Sequence, residues 1–76
     1  MKHKIDLYYW DPSREQWVFI GEGWIDPREI QGIKWNAGYC PTFGDISAVT
    51  IFQTPDYRYV TCYMSRSSAN YLNNLR

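Results

Sequence analysis

Across residues 57–64 the chain alternates two kinds of side chain with a period of two. Val60, Cys62 and Met64 share one parity, and Tyr57, Tyr59, Thr61 and Tyr63 share the other. Successive side chains of a strand point to opposite faces, so the segment reads as a strand with an apolar core face and a tyrosine stripe behind it. Tyrosine is apolar in body and polar at its tip, which suits a surface covered by a partner rather than by its own chain.

The same period organises the N-terminal segment, where Ile5, Leu7 and Tyr9 alternate with Asp6, Tyr8 and Trp10. Asp11 and Pro12 then occupy the first two positions of a turn, and residues 17–20 resume with β-branched and aromatic residues. Residues 4–10 and 16–21 are therefore expected to form a hairpin with a loop of about five residues. Gly21-Glu22-Gly23 reads as a bulge or as the strand end. A second hairpin joins residues 48–53 to 57–64 through the turn Thr54-Pro55-Asp56.

Two helices are expected. Asp26-Pro27-Arg28-Glu29 has an N-cap, a proline at N1 and a glutamate at N3, predicting a helix of one or two turns over 27–31 before Gly32. Ser65 or Ser67 would cap a short C-terminal helix with Ala69, Leu72 and Leu75 or Tyr71 on its apolar stripe. Between them, Ile33-Lys34-Trp35 reads as a short strand ended by Asn36-Ala37-Gly38, and the rest of 32–47 reads as loop. The expected architecture is one small α+β domain over residues 1–76, with an antiparallel sheet of four to five strands from two β-hairpins. The alternative is a small SH3-like β-barrel, which five short strands could close.

A chain of 76 residues buries only about 60% of its unfolded surface, so its core is small. Four Trp, seven Tyr and three Phe partly compensate, because each buries roughly 150–250 Å². Eight Lys and Arg balance eight Asp and Glu, which argues against binding nucleic acid mainly by phosphate neutralisation. Cys40 and Cys62 do not make a secreted disulfide framework, and Cys62 falls on the core parity of its strand. The N-terminus is basic but lacks an apolar leader, and no run of about 20 apolar residues suggests a membrane span. The expected localisation is cytoplasmic, with no membrane association.

No catalytic or metal constellation emerges. His3 lies near a terminus expected to be frayed, where it could not be held as a general base. The eight carboxylates fall mostly at turns and caps. Cys40 and Cys62 lack zinc spacing, and no calcium-loop pattern occurs. Glu22 and Asp26 flank the glycine pair where a phosphate would need positive potential. Neither enzyme activity nor a cofactor is expected.

Binding is the remaining class. Interface hot spots are enriched in Trp, Tyr and Arg, and Tyr8, Trp10, Tyr59 and Tyr63, with Arg58 nearby, would form such a cluster on the sheet. If the C-terminal helix covered that face, the loop containing Trp35, Tyr39 and Phe43 would be the better candidate for an exposed contact. A protein partner is expected, with a homodimer through an uncovered edge strand as a further use. The alternative is a single-stranded nucleic-acid-binding domain that stacks bases on the same aromatics. In size, neutral charge, aromatic density and lack of catalytic groups, the whole chain is similar to small stand-alone proteins of phages and mobile elements, anti-CRISPR proteins among them. That general resemblance implies an inhibitor acting by steric occlusion of a host protein.

Overall fold

The first hairpin takes its register from its turn. The Asp11 carboxylate accepts hydrogen bonds from the Ser13 backbone N–H at 3.0 Å and from Ser13 Oγ at 2.6 Å, an aspartate-closed turn over residues 12–15. Strands β1 (His3–Asp11) and β2 (Gln16–Ile25) pair antiparallel from Asp11↔Gln16 to His3↔Ile25. Leu7 faces Gly21 while Tyr8 faces Phe19, which leaves Ile20 as the extra residue of a bulge. Gly21 takes φ 134° there, a conformation that a Cβ would disfavour. The glycine pair is thus a bulge inside β2 rather than its end.

The computed structural model describes residues 1–53 and 56–76. Pro27–Glu29 is a single 3-10 turn, shorter than the helix expected over 27–31. Asp26 caps it by accepting from the Arg28 backbone N–H at 3.0 Å, and Arg28 folds its guanidinium onto the same carboxylate at 2.7 Å. With Arg28 held by its own cap and Ile30 already extended, the chain leaves at once into a strand.

The largest departure from expectation follows. Residues 32–47 are mostly strand, divided between β3 (Ile30–Cys40) and β4 (Gly44–Gln53). Their ladder is interrupted twice: Ile30↔Ile51 gives way to Gly32↔Thr50, and Lys34↔Ala48 to Gly38↔Ile46. Each slip adds residues to β3, which destroys the period of two that sequence patterning relies on. Inside the second slip the buried Ser47 donates its Oγ–H to the Trp35 carbonyl at 2.9 Å, supplying a bond that the ladder lacks. A turn with Pro41 at its second position closes β3 onto β4, the Phe43 N–H donating to the Cys40 carbonyl at 3.0 Å.

Strand β5 (Arg58–Ser65) pairs with β4 from Gln53↔Arg58 to Ile46↔Ser65, and meets β1 at Tyr8↔Tyr63. Of the turn expected at 54–56, Thr54 and Pro55 lie outside the described residues. The sheet order is β2-β1-β5-β4-β3. Among the described residues its edges β2 and β3 are not paired with each other, so the sheet is open and the barrel alternative is not adopted.

Helix α1 (Arg66–Leu75) is capped by Ser65, whose Oγ accepts from the Ser68 N–H at 3.2 Å. The Asp6 carboxylate accepts from the Ser65 and Ser68 hydroxyls, adding negative charge at the helix N-terminus. The helix buries Ala69 and Leu72 against Ile5, Ile25, Ile30, Val49, Ile51 and Met64, while Tyr71 and Leu75 face outward. This is the main core, and each fully buried aliphatic side chain contributes about 1.5–3 kcal/mol. Cys62 flanks it as a free thiol whose pKa is raised by burial. Among the described residues no helix is long and apolar enough to cross a membrane.

Candidate functional site

Residues opposite each other in a ladder share a face. The pairs Val49↔Cys62 and Ile51↔Val60 therefore line the helix side, while Ala48↔Tyr63, Thr50↔Thr61 and Phe52↔Tyr59 line the reverse. Tyr8↔Tyr63, Trp10↔Trp17 and Lys34↔Ala48 extend that reverse face across all five strands. Because α1 packs on the other side, the tyrosine stripe is not covered by the C-terminal helix.

The rings of this face make two linked clusters. Trp17 lies between Trp10 (centroids 5.6 Å, interplanar 65°) and Tyr63 (5.0 Å, 49°). Tyr8 lies between Phe19 at 5.6 Å and Phe43 at 5.0 Å, the latter brought over by the β3–β4 turn. Each tilted or edge-to-face pair contributes about 0.5–1.5 kcal/mol beyond its buried area. Cys40 and Ile46 complete a second, smaller core beneath these rings, and the Cys40 thiol points at the Trp17 carbonyl, 3.8 Å away.

The sheet curls so that β3 leans toward β2. Gly38 lies directly against the Trp17 indole, where a Cβ would fall 2.6 Å from Cζ2. On the other side β1 and β5 share one ladder pair among the described residues, Tyr8↔Tyr63, and are tied again where Asp6 accepts from Ser65. The result is an open groove of about 660 Å³ lined by Trp10, Trp17, Lys34, Ala37, Gly38, Tyr39, Ala48 and Tyr63. Its lining combines the aromatic residues Trp10, Trp17, Tyr39 and Tyr63 with Ala37, Gly38 and Ala48, and Lys34 is its one charged member.

The seven residues named from sequence are dispersed by this arrangement. Trp10 (46% exposed) and Tyr39 (63%) stand at the groove, with half-buried Tyr63 deeper in it. Tyr59 is 66% exposed beyond the groove, its ring 5.2 Å from Phe52. Arg58 sits beside it and pairs with Asp56 at 3.6 Å. Tyr8 is only 4% exposed, which corrects its expected place on the surface: Phe19 and Phe43 cover it. Trp35 turns to the other side and packs on the helix-covered core, so it is not a contact of the exposed face. Lys34, Trp17 and Ala48 are groove residues that sequence reasoning did not single out. Trp17 could have been found by counting the hairpin, since a four-residue turn sets it opposite Trp10.

Electrostatically the face is quiet. The ion pairs Lys4–Glu22, Arg14–Asp11, Arg28–Asp26, Arg58–Asp56 and Arg66–Asp45 neutralise charge locally, and Lys34 joins no ion pair among the described residues. Burial raises the Asp6 pKa, but hydrogen bonds from Ser68, Tyr8 and Ser65 outweigh it and hold the carboxyl below its usual range. Burial, and then the Asp6 carboxylate, push the Tyr8 hydroxyl well above its usual value, so it stays protonated. His3 is not frayed: it belongs to β1, and its ring packs edge-on against Tyr71 with Nδ1 3.2 Å from the hydroxyl. Among the described residues no group of three or more His, Cys, Asp or Glu could hold a metal ion. No family model, curated protein or solved structure matches the chain.

Proposed function

We propose that the chain is a non-enzymatic protein-binding module that works through the aromatic face opposite α1. The observation that carries this reading is the uncovered groove, with Trp10 and Tyr39 exposed on its rim and Tyr59 exposed beyond it. An aromatic patch of this kind loses water readily on contact, and it matches the Trp and Tyr enrichment of interface centres. Trp10 already packs on Trp17 and Tyr59 on Phe52, so these two rings have less side-chain freedom to lose when a partner arrives. Such a module acts by occupying a partner's surface.

The test is affinity capture from nuclease-treated lysate of the source cells, comparing wild type with a Trp10→Ala/Tyr39→Ala/Tyr59→Ala variant. All three side chains are substantially exposed, so the variant is expected to melt as a folded domain, checked by circular dichroism. A protein retained saturably by the wild type and lost by the folded variant supports the reading. Retention indifferent to the variant overturns it. So does enrichment of nucleic acid alone from untreated lysate, which would favour base stacking on the same rings.

A further inference from the structure

The groove's donors and acceptors are unequally supplied. The indole N–H of Trp10 and of Trp17 can only donate, as can the Lys34 ammonium, while the Tyr39 and Tyr63 hydroxyls can do either. None of these polar tips is a buried orphan and none bonds another described side chain; the Trp17 indole nitrogen lies against Gly38, while Trp10, Lys34 and Tyr39 are exposed. The lining side chains include no carboxylate and no amide. Donors outnumber acceptors in this lining, which favours a ligand that brings acceptors and few backbone donors.

A proline-rich segment has that chemistry. Proline keeps its carbonyl and has no N–H, and the polyproline II helix makes no internal hydrogen bonds, so every carbonyl is free. Its rings fit between aromatic walls, and its stiffness reduces the ordering cost of binding. Ala37 and Ala48 are the small residues of the lining that are free to leave depth for such rings, the space over Gly38 being filled by the Trp17 indole. Lys34 adds the charge: one ammonium without an ion pair in an otherwise neutral lining complements one carboxylate. A nucleic-acid strand would present a phosphate at every step, against a single cation.

We infer that the groove between Trp10, Trp17, Tyr63 and Tyr39 binds a proline-rich polyproline II segment of a partner protein, with Lys34 pairing an acidic residue beside the prolines. The inference rests on the protein-binding reading and specifies its ligand.

The experiment is a titration of the ¹⁵N-labelled full chain, followed at the Trp10 and Trp17 indole N–H signals. The probes are a capped proline-rich peptide with one glutamate, its glutamine counterpart, and a glycine-serine peptide of equal length bearing the glutamate. Saturable shifts of both indole signals are expected with the two proline peptides. The glutamate form should bind roughly threefold or more tightly, as one exposed ion pair allows. Lys34→Ala should erase that preference while leaving the fold intact, because Lys34 is exposed. Absence of saturable shifts at millimolar peptide overturns the inference, as does equal binding of the glycine-serine peptide. Shifts produced by oligothymidylate instead, or by raising the protein concentration alone, assign the groove to nucleic acid or to a second copy and also overturn it. If the peptides fail while capture still yields a protein lost by the triple variant, the ligand is wrong and the protein-binding reading stands.

Discussion

Replacing Gly38 by alanine tests whether the seam between β2 and β3 shapes the aromatic face. A Cβ at this position would fall 2.5 Å from Trp17 Cε2 and 2.6 Å from Cζ2, distances that real side chains do not reach. The obstacle is a half-buried indole wedged between Trp10 and Tyr63, so it cannot simply swing aside. Either the indole leaves its two neighbours or β3 lifts from β2. Overpacking of this kind costs about 1–3 kcal/mol, and one lost ring pair adds about 0.5–1.5 kcal/mol. We expect a loss of about 2–3 kcal/mol, which for a domain of this size lowers Tm by roughly 10–20 °C. Gly32→Ala is the matched control: it is also in β3, and its added methyl would meet nothing within 4 Å. Urea and thermal unfolding followed by tryptophan fluorescence compare the two variants. If Gly38→Ala matches Gly32→Ala to within about 0.5 kcal/mol, the ordinary effect of a surface substitution, the close packing of β3 on Trp17 is wrong. The shape assigned to the groove then falls with it.

Three further outcomes are expected. Ser47→Ala strands the Trp35 carbonyl inside the β3 bulge and should cost about 1–3 kcal/mol in urea unfolding; a neutral result would mean the bulge finds another donor. Glu15 has φ 52° in the first hairpin turn, so Glu15→Gly should relieve left-handed strain and stabilise by about 0.5–1 kcal/mol, read as a higher Tm. The Asp6 carboxyl is held below its ordinary value of 3.8, so on acidification the unfolded chain takes up this proton first. Stability from the helix cap is therefore present above about pH 4 and lost as the pH falls further. Asp6→Asn should lower stability at neutral pH and flatten the acid limb of the urea midpoint, and an unchanged limb would remove Asp6 from the account.

Much of the scaffold was legible because it is written in short-range chemistry. Asp11 and Pro12 mark their turn, the period of two marks β1 and β5, and Ser65 and Leu72 mark the helix. What escaped was written across the chain. In β3 the register slips twice, so the strand has no periodic pattern. Its extended state depends on β4, through Ser47, and on the Pro41 turn, and no window confined to 32–40 contains either. The internal helix shrank to one turn for a related reason. Arg28 is committed to its own cap, and Ile30 is needed in the core beside Ile51.

Parity identified the faces but could not say how much of each face stays wet. Tyr8, Tyr59 and Tyr63 belong to one stripe, yet they end buried, exposed and intermediate. Phe43, 35 positions away, decides the fate of Tyr8, and Trp17 decides that of Tyr63. The aromatic face is therefore graded. At the end where Tyr8, Phe19 and Phe43 meet, Tyr8 joins Cys40 and Ile46 in a second small core, and Phe19 and Phe43 cover it while staying half-exposed themselves. Tyr39 and Tyr59 are wetter than the rings around Tyr8, and Trp10, as exposed as Phe19 and Phe43, lines the groove without covering a buried ring. Truncation at the first end should register as lost stability, and truncation at the second as lost binding in a folded domain. Tyr63 touches Trp17 and also lines the groove, so Tyr63→Ala should show both losses, and its binding defect is interpretable only beside a measured Tm.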